Sequence, residues 1–228
     1  MAAAIAVILG FSASTTARAA LVFEHSGNTD PVTEGFTLSG DGGFADAWGA
    51  LNWRMMGNTV GSYSISGFDA SLADPNLVEW TFTLTARAID SSMSGKTFAR
   101  LGNGVNAFDL FLQDGSGSLN TGAYYRNAAG TFVQIGTVNP CSGMHTYEIV
   151  FRANGAGAAD DTVAYRVDSV DQFTVPTSNI ASTSGPAIAY FGSATGASGY
   201  SDSQYALVLL ETVTTIPQPS SFALIGLG

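Results

Sequence analysis

The chain has 228 residues, of which 46% are hydrophobic and only 11% are charged, and its formal net charge is −10. This length and apolar content suit one domain with a large core. The few basic residues form no cluster, which argues against DNA or RNA as a partner, and a single cysteine, Cys141, excludes an intrachain disulfide.

The N-terminus has the pattern of an export signal. Residues 2–13 form an uncharged apolar run, and Ala17-Arg18-Ala19 has the small-X-small pattern of a cleavage site. The run is too short to span a bilayer. It lacks the positively charged residues that usually precede the apolar part of a signal peptide. We predict a signal peptide over 1–19 and export to the envelope, surface or extracellular matrix of a bacterium; the alternative is a buried helix of the fold.

The segment 21–213 is typical of strands. Residues 78–88 alternate, so that one face is apolar and the other carries Glu79, threonines and Arg87. This period of two predicts a strand with one face in a core. Residues 205–210 are continuously apolar, which predicts a central strand covered on both faces. Alternation also predicts strands over 107–113, 145–153 and 163–167.

Turn sequences separate these strands, and no convincing amphipathic helix lies between them. Glycine, asparagine and aspartate accept the positive φ angles of tight turns. The turn segments are 40–43, 103–104, 114–118, 154–155 and 196–199. Many strands without helical crossovers predict an all-β fold, with antiparallel sheets packed as a two-sheet jelly-roll sandwich.

The order of features resembles the concanavalin A-like lectin/glucanase superfamily in its laminin-G-like form. Short segments carry this resemblance: 28–36, Ala47-Trp48, Tyr63, the strand pair 145–149 and 163–168, and Tyr190-Phe191-Gly192-Ser193. The resemblance implies a jelly roll with a curved concave face and a role in carbohydrate binding.

Catalytic patterns are hard to find. Glycosidases need two carboxylates that face the sugar, and the five glutamates after residue 19 include no pair two or four residues apart. Glu79 and Glu148 face outward on strands, where we expect them to be solvated or paired with Arg87 or Arg152. His145 is interpreted as a strand-end residue rather than a base of a Ser-His-Asp site. We therefore predict a protein that is not an enzyme.

Metal ligation has weak support in the sequence. Two histidines and one cysteine do not build a usual zinc site. Asp41, Asp114, Asp160-Asp161 and Asp202 lie in predicted loops, where aspartate also shapes turns. We predict no cofactor, with calcium at such a loop as the alternative.

A sugar-binding platform needs exposed aromatic rings and planar polar side chains. The predicted ligand-binding residues are Trp48, Trp53, Tyr63, Phe111, Tyr125 and Arg126. Phe111 points away from its apolar neighbours on the strand. The pair Tyr124-Tyr125 places one ring on each face. Core packing is the alternative role for each of these rings.

The C-terminal segment 214–228 resembles a PEP-CTERM sorting signal. The motif Pro217-Gln218-Pro219-Ser220-Ser221 precedes an apolar run, Phe222 to Gly228, that is too short to span a membrane. The resemblance implies processing by an exosortase-type peptidase. The usual helix continuation and arginine cluster are absent from the sequence.

Together these patterns predict an exported, non-catalytic envelope or matrix protein that acts in adhesion or polysaccharide binding. Two alternatives remain open at the level of sequence. One is a divergent glycoside hydrolase or lyase of the concanavalin A-like fold, and the other is a purely structural surface protein.

Overall fold

The computed structural model describes residues 15–40, 44–48, 52–57, 61–73, 77–90, 96–115, 119–154, 160–194 and 201–217. These residues form two antiparallel sheets that pack face to face around one core. The predicted all-β jelly-roll sandwich is confirmed.

The first sheet has eight strands in the order β13-β12-β11-β6-β15-β4-β3, with β1 also paired to β15. Its strands are β1 (Thr15–Ser26), β3 (Phe44–Trp48), β4 (Asn52–Gly57), β6 (Leu77–Asp90), β11 (His145–Arg152), β12 (Thr162–Val167), β13 (Val170–Pro176) and β15 (Ser201–Pro217).

The second sheet has seven strands in the order β10-β9-β8-β7-β14-β5-β2. Its strands are β2 (Thr37–Ser39), β5 (Gly61–Ser66), β7 (Lys96–Gly102), β8 (Ala107–Gln113), β9 (Gly122–Arg126), β10 (Phe132–Ile135) and β14 (Ile188–Ala194). Within the described ranges, helix is limited to one turn, α1 (Asp69–Leu72), and two 3₁₀ turns, Pro31–Glu34 and Thr177–Asn179.

The core lies between the sheets and follows the alternation of the sequence. On β6, Trp80, Phe82 and Leu84 are buried, as the pattern predicts, and Trp80 stacks on Phe151 of β11. Burying one large apolar side chain contributes about 1.5–3 kcal/mol. The predicted inward sets of β8, β11 and β12 are likewise in the core.

The central position predicted for 205–210 is correct, but its two-sided burial is wrong. Val208 and Leu210 are buried in the core, whereas Leu207 and Leu209 are only half-buried on the outer face. The register of β15 against β6 shifts between Tyr205 and Leu207. No helix layer covers this face in the described part of the chain. Only one face of this apolar run is therefore buried.

Strands β1 and β15 extend beyond the predicted domain limits of 21 and 213. Their ladder runs from Ser26 paired with Leu207 to Thr15 paired with Pro217. Residues 16–20, which include the predicted cleavage positions Ala17 and Ala19, are exposed, whereas Phe23 is buried. Gln218 to Ser221 of the predicted sorting motif lie outside the described residues.

Candidate functional site

The outer face of the seven-stranded sheet carries two rows of large side chains that run across the strands. Alternation places Arg100 of β7 and Asp109 of β8 on this face because Ala99, Leu101, Phe108 and Leu110 point into the core. The ladder pairs Tyr190 with Arg100, Arg100 with Asp109, and Arg126 with Phe132. We call this line the ionic row: Tyr190, Arg100, Asp109, Arg126 and Phe132.

A second line, two residues along each strand, is aromatic. Phe98 pairs with Phe111, and Phe111 pairs with Tyr124. We call these three residues the aromatic row. The rings of Phe98 and Phe111 stack with centroids 6.3 Å apart, and Phe111 meets Phe132 edge-on at 5.0 Å.

Asp109 is the centre of the ionic row. Arg100 donates two hydrogen bonds to its carboxylate, one from Nε to Oδ1 and one from Nη2 to Oδ2 at 2.9 Å. Arg126 approaches the same Oδ2 through Nη2, also at 2.9 Å. Two guanidinium groups therefore share one carboxylate, which leaves a net charge of +1.

Burial divides this triad. The side chain of Asp109 is 0% exposed, whereas Arg100 and Arg126 keep 25% and 33% of theirs exposed. Burial of Arg100 opposes its charge, but the hydrogen bonds and charge of Asp109 raise the pKa of its guanidinium above the ordinary value. The arginines thus cover a buried anion and present positive charge to solvent.

Neither arginine has all of its donors satisfied by Asp109. Arg100 donates from Nη1 to the hydroxyl of Tyr190 at 3.2 Å and lies 5.5 Å from the centroid of that ring. Nε of Arg126 is buried and has no acceptor among the described residues. Arg126 is therefore the less constrained of the two.

The aromatic row supports the ionic row from the side. Phe98, Phe111 and Tyr124 are nearly buried, whereas Tyr190 and Phe132 are half-buried at the two ends of the ionic row. Four strand spacings separate these ends, or about 19 Å. The partly exposed groups along the ionic row are therefore two guanidiniums in the middle and one aromatic ring at each end.

The structure corrects three predicted ligand-binding residues. Trp53, Tyr63 and Tyr125 point into the core and are nearly buried, so they do not reach a surface where a sugar could stack. Of the pair on β9, Tyr124 is the outward ring. Alternation identified the two faces but not which face was the core.

The other three predicted ligand-binding residues fall elsewhere. Phe111 lies on the outer face, buried in the aromatic row, and Arg126 belongs to the ionic row. Trp48 ends the edge strand β3, and its side chain lies outside the described residues. Sequence reasoning missed Arg100, Asp109 and Tyr190, although Asp109 interrupts the apolar pattern of β8.

Carboxylates are scarce on this face. On β8 the outward positions are Asp109, Phe111 and Gln113, and Asp109 is the sole acidic side chain of the described strand residues on this side. Glu79 lies on the outer face of the other sheet, where it accepts a hydrogen bond from Arg152 at 2.9 Å, one of the alternatives that the sequence left open. The described part of the face therefore lacks a facing pair of carboxylates.

A second polar cluster lies where β11 begins. His145 Nδ1 lies 2.7 Å from Asp168 Oδ2, and His145 Nε2 lies 3.2 Å from Ser142 Oγ. Asp168 is in the two-residue turn between β12 and β13. Sequence reasoning interpreted His145 as a strand-end residue, and it does open β11, but the turn brings a carboxylate to its ring.

The other histidine is part of the core. His25 is fully buried, stacks on Phe191 with centroids 5.2 Å apart, and lies 2.6 Å from Glu34 through Nδ1. Burial lowers its pKa below the ordinary value, against the opposing effect of Glu34. This arrangement fixes the 3₁₀ turn Pro31–Glu34 against β1.

No group of three or more His, Cys, Asp or Glu side chains that could hold a metal occurs among the described residues. Of the aspartates considered for calcium, Asp202 lies in β15 and binds Arg54, Asp161 accepts a hydrogen bond from the Asn154 amide, and Asp41 lies outside the described ranges. Cys141 is an unbridged, partly buried thiol. The described residues contain no helix with the length and apolarity needed to cross a membrane.

Comparison with known proteins adds information about the fold. No family model and no curated protein matches the sequence. An endo-1,3-β-glucanase from Streptomyces sioyaensis has a TM-score of 0.59 at 12% identity, covering 85% of this chain and 96% of that one. A carbohydrate recognition domain has a TM-score of 0.55 at 12% identity, over 84% and 96%. An endo-β-1,4-glucuronan lyase from Trichoderma reesei has a TM-score of 0.52 at 12% identity, over 84% and 95%.

These identities support the fold alone, and the fold corrects one prediction. The inference that the chain is not an enzyme is contradicted, since a glucanase, a transglycosylase, a glycosyl hydrolase and a lyase share this architecture with it. The lack of an alternating run of glutamates therefore does not exclude catalysis.

Proposed function

We propose that the outer face of the seven-stranded sheet binds a polysaccharide along the ionic row, and that it prefers acidic sugars. The observation that carries this proposal is the sharing of the buried Asp109 carboxylate by two partly exposed guanidinium groups. The solved structures of similar fold, which include glycan-active enzymes and a carbohydrate recognition domain, support a ligand of this class.

The preference for acidic sugars follows from local charge. The chain carries −10 overall, so an anionic polymer is repelled by the protein as a whole and needs a local positive site. A guanidinium group binds a carboxylate through two parallel hydrogen bonds, and a neutral hydroxyl gains less from it. Arg126, with a single contact to Asp109, is the better placed of the two for a ligand carboxylate.

The rings at the ends supply the contact that does not depend on charge. Tyr190 and Phe132 are half-buried, so each offers part of a ring to the apolar face of a sugar. Their separation of about 19 Å favours a chain of several sugars over a monosaccharide.

A pair of polymers with one backbone tests this proposal. Polygalacturonate and its fully methyl-esterified form share one backbone and differ in whether each carboxyl group is ionised or a neutral methyl ester. Binding of either polymer to the full chain is measured by affinity electrophoresis. We expect binding to the acid and weaker binding to the ester. Equal binding to both would show glycan binding without the preference, and binding to neither would contradict the proposed function.

Arg126→Gln and Arg152→Gln form a matched pair of variants. Each removes one guanidinium next to a carboxylate, but Arg152 lies on the opposite face of the sandwich. A hydrogen bond to a charged group contributes about 1.5–3 kcal/mol. Arg126→Gln should therefore weaken binding of polygalacturonate by about tenfold or more, and Arg152→Gln should leave it unchanged.

The place of action is a separate part of the proposal. We propose that the protein acts outside the cytoplasm, at the bacterial envelope; the apolar run 2–13 and the exposed Ala17 and Ala19 support this proposal. Processing of the motif at 217–221 by an exosortase-type peptidase stays a prediction. N-terminal sequencing of exported protein should give Ala20 or Leu21 as the first residue; full-length protein in the cytosol would contradict export.

A further inference from the structure

A second site, unrelated to the ionic row, is formed by Ser142, His145 and Asp168. We propose that these residues act as a nucleophile, a general base and an orienting carboxylate in the hydrolysis of acyl esters. The distances along the chain of three groups are 3.2 Å from Ser142 Oγ to His145 Nε2 and 2.7 Å from His145 Nδ1 to Asp168 Oδ2. Such a chain is recognised by its geometry and not by sequence order.

The carboxylate is held firmly in place. Asp168 and Ser169 have φ angles of 51° and 65°, so they form the tight turn that joins β12 to β13. Asp168 also donates its backbone N–H to the Thr146 carbonyl at 2.7 Å, and its Oδ1 accepts the Thr146 N–H at 2.9 Å. Both ends of the residue are thus fixed to β11, next to the histidine.

This anchoring favours one tautomer of the neutral imidazole of His145. With the proton of the neutral ring on Nδ1, directed at Asp168, the lone pair of Nε2 faces Ser142. The single proton of the Ser142 hydroxyl then has two acceptors in reach, the Asn139 carbonyl at 2.8 Å and His145 Nε2 at 3.2 Å. A shift of that proton from the first to the second acceptor prepares the oxygen for attack.

The surroundings of Ser142 leave room for a substrate. Ser142 is exposed, and a side chain added at Gly143 would meet nothing within 4 Å. Among the described residues, no turn or loop carbonyl accepts the backbone N–H of Gly143 or Met144. A donor directly after the nucleophile is the usual place for one N–H of an oxyanion hole.

The reaction balances with water as the second substrate. Ser142 Oγ attacks the acyl carbon while His145 Nε2 takes the hydroxyl proton, and that proton then passes to the departing alcohol. Water next gives one proton to His145 and its hydroxide to the acyl carbon, which releases the acid and returns the proton to Ser142. Esters are favoured over amides because an alcohol is a better leaving group than an amine.

Covalent labelling tests the nucleophile directly. The full-length protein is incubated with a fluorophosphonate, which phosphonylates activated serines with loss of fluoride, and the modified peptide is identified by mass spectrometry. We expect one label, on Ser142, and turnover of 4-nitrophenyl acetate. Both should disappear in Ser142→Ala and fall at least about a hundredfold in Asp168→Asn, which reverses the tautomer that His145 needs.

Two controls separate chemistry from folding. Ser184→Ala removes another exposed loop serine and should change neither labelling nor turnover. Thermal melting of every variant shows that it is folded. Labelling of Ser142 at the wild-type rate in Asp168→Asn, or ester turnover that persists in Ser142→Ala, would overturn the proposal, as would a folded wild-type protein that takes no label.

Discussion

The two outer faces of the sandwich use arginine differently. On the eight-stranded sheet three guanidiniums each have their own carboxylate: Arg152 binds Glu79, Arg166 binds Asp171 and Arg54 binds Asp202, while Arg87 donates to the side-chain oxygen of Gln204. On the seven-stranded sheet two guanidiniums share Asp109. Each of these three pairs is therefore neutral, whereas the Asp109 cluster carries one positive charge in excess.

Burial sharpens the contrast. Glu79 and Asp171 are 33% and 64% exposed and Asp202 is 5% exposed with a single arginine partner, whereas Asp109 is fully buried between two arginines. Exposed pairs contribute about 0–1 kcal/mol to stability, but a buried charge that loses its partners costs several times more. The comparison teaches that a one-to-one ion pair is neutral whether exposed or buried, whereas two guanidiniums on one carboxylate leave a positive charge that a ligand can use.

The largest expected effect is on stability and comes from Asp109→Asn. Two guanidiniums then face each other without a carboxylate between them, and we expect a loss of about 3 kcal/mol in the free energy of unfolding, at the low end for a broken buried pair because both arginines reach solvent. Urea unfolding measures it. A loss below about 1 kcal/mol would make this pair equivalent to the surface pairs and would remove the contrast.

An intermediate effect is expected on binding from Tyr190→Ala. This change removes a ring at one end of the ionic row and the hydroxyl that Arg100 contacts at 3.2 Å. Ring contacts of this kind contribute about 0.5–1.5 kcal/mol, so affinity for polygalacturonate should fall about fivefold. Tyr190→Phe keeps the ring and should retain most of the affinity; an equal loss in both variants would assign the contact to the hydroxyl.

The smallest expected effect comes from Glu79→Gln on the other face. This pair with Arg152 is exposed on both sides, so its loss should change the free energy of unfolding by less than about 1 kcal/mol. The same urea experiment applies. A change as large as that of Asp109→Asn would show that burial does not distinguish the two faces.

A pH titration probes the core between the faces. Because burial lowers the pKa of His25, the unfolded chain takes up a proton at a higher pH than the folded chain does. Stability is therefore complete above the ordinary pKa of 6.5 and falls as the pH drops below it. His25→Phe should remove this slope in urea unfolding; an unchanged slope would assign it to another group.

Much of the fold was predictable because the alternation of apolar and polar residues along each strand separates its two faces. Alternation identified the inward set of β6, and it separated Tyr124 from Tyr125 as rings on opposite faces. It could not tell which face of β9 was the core, since that depends on which sheet lies opposite. This is why Tyr125 was assigned to the surface when it packs against Tyr165.

The candidate site depends on contacts between strands that the sequence alone does not predict. Arg100 and Asp109 share one hairpin and lie nine residues apart, but Arg126 and Tyr190 reach the row from other strands, through a register that only the assembled sheet defines. Ser142 and His145 are close in sequence, whereas Asp168 arrives through the hairpin of β11 and β12. Local sequence patterns predict individual strands, but the site residues come together only when the strands assemble into a sheet.

The most direct test of the central claim is an NMR titration that follows the arginine Nε–Hε signals of the full chain as oligogalacturonate is added. The signals of Arg100 and Arg126 should shift with saturation, and those of Arg152 and Arg166 should stay in place. Shifts confined to Arg152 and Arg166, or no shift at any arginine, would contradict the claim that the shared carboxylate marks the binding face.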